Sequence, residues 1–334
     1  MANEVDIFNP QKSVISHSLA GKIIMIYGGN NLGKTYQAVR MKKPYVLACE
    51  SGLNGQTGVA YNNINNWRDF KKVVKQFTDK KTIQKAKELY ETIVIDEVYA
   101  SSIFAQDYVI ATYGKGALTL GDTQKGEANL YQLYEKEYFR QINLLVNSGY
   151  TVVFIAHQDQ KMDDKIRPKG DKRCLGPIID NCDYVVYLHS NGMDEENHVI
   201  KSSAYLAETN EFFARSRFTY TPTYIKEFTA ENLEAAIIEG IEKEVEVSGV
   251  SSVSFEEQKA LNETKSYSYE ELMDAIMEAG NKLAEAGYVE DLIEIIESTL
   301  GAGKKISDCT KKQIEAMEVI FDDIIDKMTE LGVK

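Results

Sequence analysis

Lys22-Ile-Ile-Met-Ile-Tyr27 runs directly into Gly28-Gly29-Asn30-Asn31-Leu32-Gly33-Lys34-Thr35, and this junction decides the fold. A short β-branched apolar run, then G-x-x-x-x-G-K-[ST], then a helical pattern from Thr35 to about Met41 predicts strand, phosphate-cradling loop and helix. Gly28 and Gly33 let backbone N–H groups turn inward on phosphate oxygens. Lys34 reaches the β- and γ-phosphates, Thr35 offers its hydroxyl to Mg²⁺, and the helix points its positive end at the same place. The expected cradle is Gly28, Gly29, Asn30, Asn31, Leu32, Gly33, Lys34, Thr35 and Tyr36, with ATP and Mg²⁺ as its ligands.

Outward from this junction the first ~225 residues alternate short apolar runs with longer amphipathic ones, as in an α/β fold with a mainly parallel sheet. Strands are predicted at Lys22–Tyr27, Tyr45–Cys49, Thr92–Ile95, Thr151–Ala156 and Tyr184–Leu188. Residues 67–90 read as helical and polar-faced, and residues 125–148 as a helix with its apolar face at Leu130, Leu133, Tyr134, Phe139, Ile142 and Leu145. Residues 159–178, with Pro168, Gly170 and Pro177, read as a long loop.

Three strand ends carry chemistry. Ile93-Val94-Ile95-Asp96-Glu97, 62 positions after Lys34, is an apolar strand ending in two carboxylates, and Asp96 is placed to orient Mg²⁺. Glu50 follows the strand Tyr45–Cys49 and competes with Glu97 to position the attacking water. His157, in Ala156-His157-Gln158-Asp159, stands where a polar side chain reports on the γ-phosphate; the alternative is a strand-end histidine satisfied locally.

Beyond His157 the chain is basic. Lys161, Lys165, Arg167, Lys169, Lys172 and Arg173 lie among Asp163, Asp164 and Asp171. This segment, with Lys115, is a candidate contact to a phosphate backbone, against the alternative of a solvated loop. The Lys71–Lys87 segment reads as a solvated helix face. Arg215 and Arg217 alternate in Phe-Ala-Arg-Ser-Arg-Phe; they serve as arginine fingers for a neighbour's nucleotide or pair with surface acids.

The net charge of -13 is unevenly placed. Residues 1–230 hold 28 Lys and Arg against 26 Asp and Glu (+2), and residues 231–334 hold 10 against 25 (-15). A near-neutral core with basic patches is compatible with nucleic acid, whereas the whole-chain charge alone argues against it. Four cysteines without CxxC spacing suggest reduced thiols, and scattered histidines suggest no metal cluster. The N-terminus lacks a basic and apolar leader pattern, no apolar run is long enough to span a bilayer, and a cytoplasmic protein is expected. Residues 1–230 read as the ATPase core, 231–267 as a helix end and linker, and 268–334 as a small acidic all-α region. Its last helix has a stripe at Ile314, Met317, Phe321, Ile324, Met328 and Leu331, facing its own bundle or a partner.

The order of elements resembles the RecA-like ATP-binding proteins encoded by bacteriophages. It runs from the phosphate loop to a strand ending in Glu50, the Asp96-Glu97 strand, Tyr113-Gly-Lys-Gly116, a helix and a strand ending in His157-Gln158. Some of that group act in single-strand annealing or recombination. The resemblance covers about residues 20–225. It implies a RecA-like core, ATP between subunits of a ring or filament, single-stranded DNA against inward loops, and the cytoplasm of an infected bacterium. It also implies Glu50 as general base and Arg215 and Arg217 acting on a neighbour's nucleotide. Asn30-Asn31 in the loop, and Asp-Glu where relatives often have Asp-Ser, depart from the pattern.

The function expected is a Mg²⁺-dependent, DNA-stimulated ATPase of phage recombination or replication. The alternatives are a replicative helicase or helicase loader, an ATP-binding scaffold whose acidic tail recruits a single-strand binding protein or replication partner, and an ATPase indifferent to DNA. A tail that competes with DNA for the basic loops is a further expectation from its charge.

Overall fold

The computed structural model describes residues 8, 10, 12–122, 129–159, 165–262 and 267–333. The chain divides into two compact units, residues 11–262 and residues 263–334 with 1–10.

The larger unit is built on β1 (Ile23–Gly28), β2 (Pro44–Ala48), β3 (Tyr61–Asn63), β4 (Thr92–Asp96), β5 (Thr151–Asp159), β6 (Arg167–Pro168), β7 (Tyr184–His189), β8 (Ser203–Tyr205), β9 (Arg215–Ser216) and β10 (Tyr224–Ile225). Its helices are α1 (Lys34–Ala38), α2 (Trp67–Thr78), α3 (Ile83–Leu89), α4 (Val98–Tyr113), α5 (Leu130–Asn147), α6 (Lys172–Asn181), α7 (Ala230–Ser248) and α8 (Phe255–Asn262). The sheet order is β10-β8-β7-β1-β5-β4-β2-β3, parallel from β7 to β3. β5 therefore sits between the phosphate-loop strand and the Asp96 strand. In such sheets ligands bind beyond the carboxyl ends of the strands where the chain's progress reverses, and here that place is the end of β1.

The central strands alternate between two cores, as a period of two residues requires when helices cover both faces. Met25, Tyr27, Ile93, Ile95, Val152 and Phe154 face one cluster with α2, α4, α5 and α6. Ile24, Ile26, Val94, Val153 and Ile155 face the other with α7. Burial of each such side chain contributes ~1.5–3 kcal/mol.

Four elements differ from the sequence expectation. Residues 67–90 form two helices, and opposite the polar face α2 carries a buried one: it starts at the Asn66 cap, whose side chain accepts from Asp69 N, and buries Trp67, Phe70, Val73, Val74 and Phe77. The lysines between them kept that apolar face inconspicuous. The 159–178 stretch is not one loop. β5 continues to Asp159, β6 pairs back on it, and α6 follows, capped by Asp171 and anchored by Cys174, Leu175 and Ile178 despite Pro177. Helix α4 gave no periodic signal because its buried face includes Ser101 and Ser102, whose hydroxyls meet Tyr138 and Tyr134. The 231–267 segment is largely part of the larger unit, which runs to residue 262. α7 buries Leu233, Ile237 and Ile241, and α8 lays the Phe255 ring against Gly21 and Gly149, where any β-carbon would collide with it.

The smaller unit holds α9 (Tyr269–Glu285), α10 (Val289–Leu300) and α11 (Ile314–Leu331). Met317, Ile324 and Met328 of the α11 stripe, joined by Ile320, are buried against Leu272, Ile276 and Leu283 of α9. No helix among the described residues is long and apolar enough to cross a membrane.

Candidate functional site

The loop after β1 is shaped by one close approach and one left-handed turn. A β-carbon on Gly28 would stand 2.8 Å from the Leu188 carbonyl oxygen, and Gly33 has φ 85°. Only glycine meets both conditions without strain. Asn31 also takes a left-handed conformation, φ 61°, which asparagine tolerates better than most residues. Ser202, directly before β8, donates to Leu32 O at 3.1 Å and holds the loop.

Asn30, Asn31, Leu32, Gly33, Lys34, Thr35 and Tyr36 line a cleft of about 400 Å³ with Glu50, Gly52, Asp96, Ile155 and His157. Lys34 Nζ donates to the carbonyls of Gly28 (3.1 Å) and Gly29 (2.6 Å). Burial pulls this ammonium below its ordinary pKa, while Asp96, Glu50 and Glu97 pull it back. Thr35 Oγ1 donates to Asp96 Oδ2 at 2.9 Å. Asp96 is 1% exposed and its Oδ1 is buried with no hydrogen-bond partner. Burial pushes its carboxyl up to about 6, Thr35 opposing and Glu50 adding. A half-buried hydroxyl beside a buried, half-satisfied carboxylate is a donor set suited to a hard, oxygen-seeking cation that completes its shell with water and phosphate. Among the described residues no group of three His, Cys, Asp or Glu could hold a metal without such help.

The ends of β2 and β4 are tied together, with Cys49 N and Glu50 N both donating to Asp96 O. This brings Glu50 into the cleft, where its Oε1 lies 3.5 Å from His157 Nε2 near the end of β5, on the other side of β4. Both side chains are about one-third exposed (38% and 34%) and reachable by water. Glu97 differs. It is 4% exposed, does not line the cleft, and has an unpartnered buried Oε2. Burial and then Glu50 push it up to about 7, against the amides of Tyr99 and Ala100. The geometry thus separates the two candidate bases: Glu50 faces the cleft, Glu97 lies behind it.

A family model described as an AAA domain matches residues 20–218. The chain belongs to this AAA family. It is also 51% identical, over 326 residues covering 98% of this chain and 99% of the other, to the SPbeta prophage-derived uncharacterized protein YorG of Bacillus subtilis (strain 168). The match makes this an AAA-type domain, of the P-loop ATPase class, with a relative in a prophage.

Other candidate residues of this AAA chain lie outside the cleft. Arg215 and Arg217 both donate to the Asp180 carbonyl at the end of α6 (3.3 and 2.7 Å), and Arg217 stands 3.8 Å from Asp183. They clasp the start of β7, whereas the cleft lies beyond the strand's far end. Lys165 pairs with Glu208 at 2.6 Å. Arg167, Lys169 and Arg173 each lie over an aromatic ring, those of Phe213, Tyr99 and Tyr131 respectively. Lys172 and Lys115 are exposed, Lys115 at φ 44°. Lys161 lies outside the described residues.

Two contributors were not singled out in the sequence. Gly52 presses its bare backbone on Asp96; a β-carbon there would be 2.7 Å from Oδ2. Gln158 reaches the loop beside Gly29. Gly52 had a faint signal, a glycine two residues past a strand-end glutamate. Gln158 had none beyond its place after His157.

Proposed function

We propose that this protein is a Mg²⁺-dependent ATPase of RecA-like architecture that works on single-stranded DNA in phage recombination or replication, as a homo-oligomer. The observation that carries the ATPase part is the convergence of Lys34, Thr35, Asp96, Glu50 and His157 on one cleft. Thr35 and Asp96 would hold Mg²⁺, which when bound offsets phosphate charge. Glu50 orients water against the γ-phosphorus and takes its proton as the new P–O bond forms. The bond to the ADP oxygen breaks, and Lys34 meets the charge on the departing phosphates.

The DNA part is supported by β5. β5, which carries His157, pairs back on a segment holding Arg167 between Lys165 and Lys169, and Lys169 N donates to His157 O at 2.8 Å. A change at His157 on phosphate loss therefore passes through one hydrogen bond to cationic side chains. The test is ATP turnover against single-stranded DNA concentration at two ionic strengths. Stimulation that weakens at high salt supports the reading. Turnover indifferent to DNA leaves an ATPase of another kind, and strand displacement favours the helicase alternative.

A further inference from the structure

The starts of α4, α5 and the α6 cap converge beside the arm that follows His157. Tyr99 lies in the first turn of α4, two residues after Glu97. Tyr131 lies in the first turn of α5. Both rings are partly exposed. Lys169 Nζ stands 5.8 Å from the Tyr99 ring centre and Arg173 Cζ 5.1 Å from that of Tyr131. The backbone between them is fixed. Gly170 lies so close to Tyr99 that a β-carbon would be 3.3 Å from its ring, Asp171 accepts from Arg173 N (2.9 Å) and Cys174 N (3.2 Å), and Tyr134 donates to Cys174 O at 3.4 Å.

We propose that Tyr99 and Tyr131, with Lys169 and Arg173, form a seat for the unpaired bases of a single strand. The proposal rests on the DNA reading above and names the residues that carry it. Two aromatic faces offer sequence-tolerant stacking, and two cations now over those rings exchange them for backbone phosphates. The Asp171 carboxylate in the α6 cap is engaged by two amides. A duplex keeps its base faces covered, so the seat selects single strands. Its position links it to the cleft through the Lys169 N to His157 O hydrogen bond.

The experiment is fluorescence-anisotropy binding of a labelled oligothymidylate to the full chain across a salt series, with matched duplex as comparator. Tyr131→Ala and Tyr99→Ala are each expected to weaken binding on the order of tenfold while leaving the salt slope unchanged. Tyr131→Phe, which keeps the ring, retains affinity. Lys169→Ala and Arg173→Ala each flatten the slope by about 0.7. Wild-type affinity in Tyr131→Ala overturns the seat even should Tyr99→Ala fold poorly, and so does equal affinity for duplex. Absence of wild-type binding at any salt instead removes the DNA reading, and the seat with it.

Discussion

Lys34 is the one Lys or Arg among the described residues lining the cleft, so its removal leaves the γ-phosphate without a side-chain ammonium. Lys34→Ala should lower turnover by at least ~10²-fold with an unchanged circular-dichroism spectrum; normal turnover would exclude the site. Glu50 and Glu97 can be separated by charge removal. Glu50→Gln is expected to reduce kcat with little change in nucleotide affinity, and Glu97→Gln to leave the larger residual rate; the reverse ranking refutes Glu50 as base. The buried carboxylates also make stability depend on pH. Asp96 and Glu97 hold protons more tightly folded than unfolded, up to about 6 and about 7. The folded state then binds more protons across that window, and their contribution to stability falls as pH rises from ~4 to ~7. Asp96→Asn keeps an acceptor for Thr35 and removes the buried charge. Without nucleotide it should be more stable than wild type at pH 7.5, by on the order of 1–3 kcal/mol, with the gap shrinking as pH falls toward ~4, while losing Mg²⁺-dependent nucleotide binding. A lower melting point at pH 7.5 would contradict this.

At the scale of single elements, the clasp at the end of α6 has a definite consequence. Arg217 bonds the Asp180 carbonyl and faces Asp183, whose Oδ2 accepts from Ile23 N at the base of β1. Arg217→Ala should therefore cost ~1 kcal/mol of stability. Mixed with wild type, it should not depress turnover beyond dilution. Unchanged melting with strong poisoning of mixed assemblies would instead support a role on a neighbour's nucleotide. What could be read in advance also differed by element. β1, β4 and β5 were legible because strands buried on both faces are unbroken apolar runs. The phosphate loop was legible because few residues satisfy its backbone. α4 was hidden by its serines and α6 by Pro177. The packing of Gly52 on Asp96, the clasp at Asp180 and the relation of Glu97 to the cleft are tertiary facts with no local pattern to announce them.

For the molecule as a whole, the sequence boundary at 230 and the structural one at 262 make different predictions. Val253 pairs with residues 15–17, Gln258 donates to Val14 O at 2.7 Å, and Lys87 pairs with Glu256 at 2.9 Å. A chain cut after Asn262 should keep a single cooperative melt and ATP turnover. One cut after Val245 should melt several degrees lower, because the two glycines under Phe255 lose their cover. Equal melting of the two would show that α8 adds nothing to the core. If the acidic tail competes for basic surface, either cut should tighten oligonucleotide binding at low salt.

The seam at the N-terminal end of the larger unit fixes when the protein can finish assembling. Ile23–Gly28 leave the ribosome early, yet their partners Val152–His157 and Tyr184–Leu188 arrive more than a hundred residues later, and the segment that closes over residues 14–17 comes last. Pairings so distant in sequence close slowly. During synthesis the phosphate loop is thus the oldest part of a site that stays incomplete until almost all of residues 11–262 has emerged, so a ribosome stalled near residue 220 should display a chain that does not retain nucleotide.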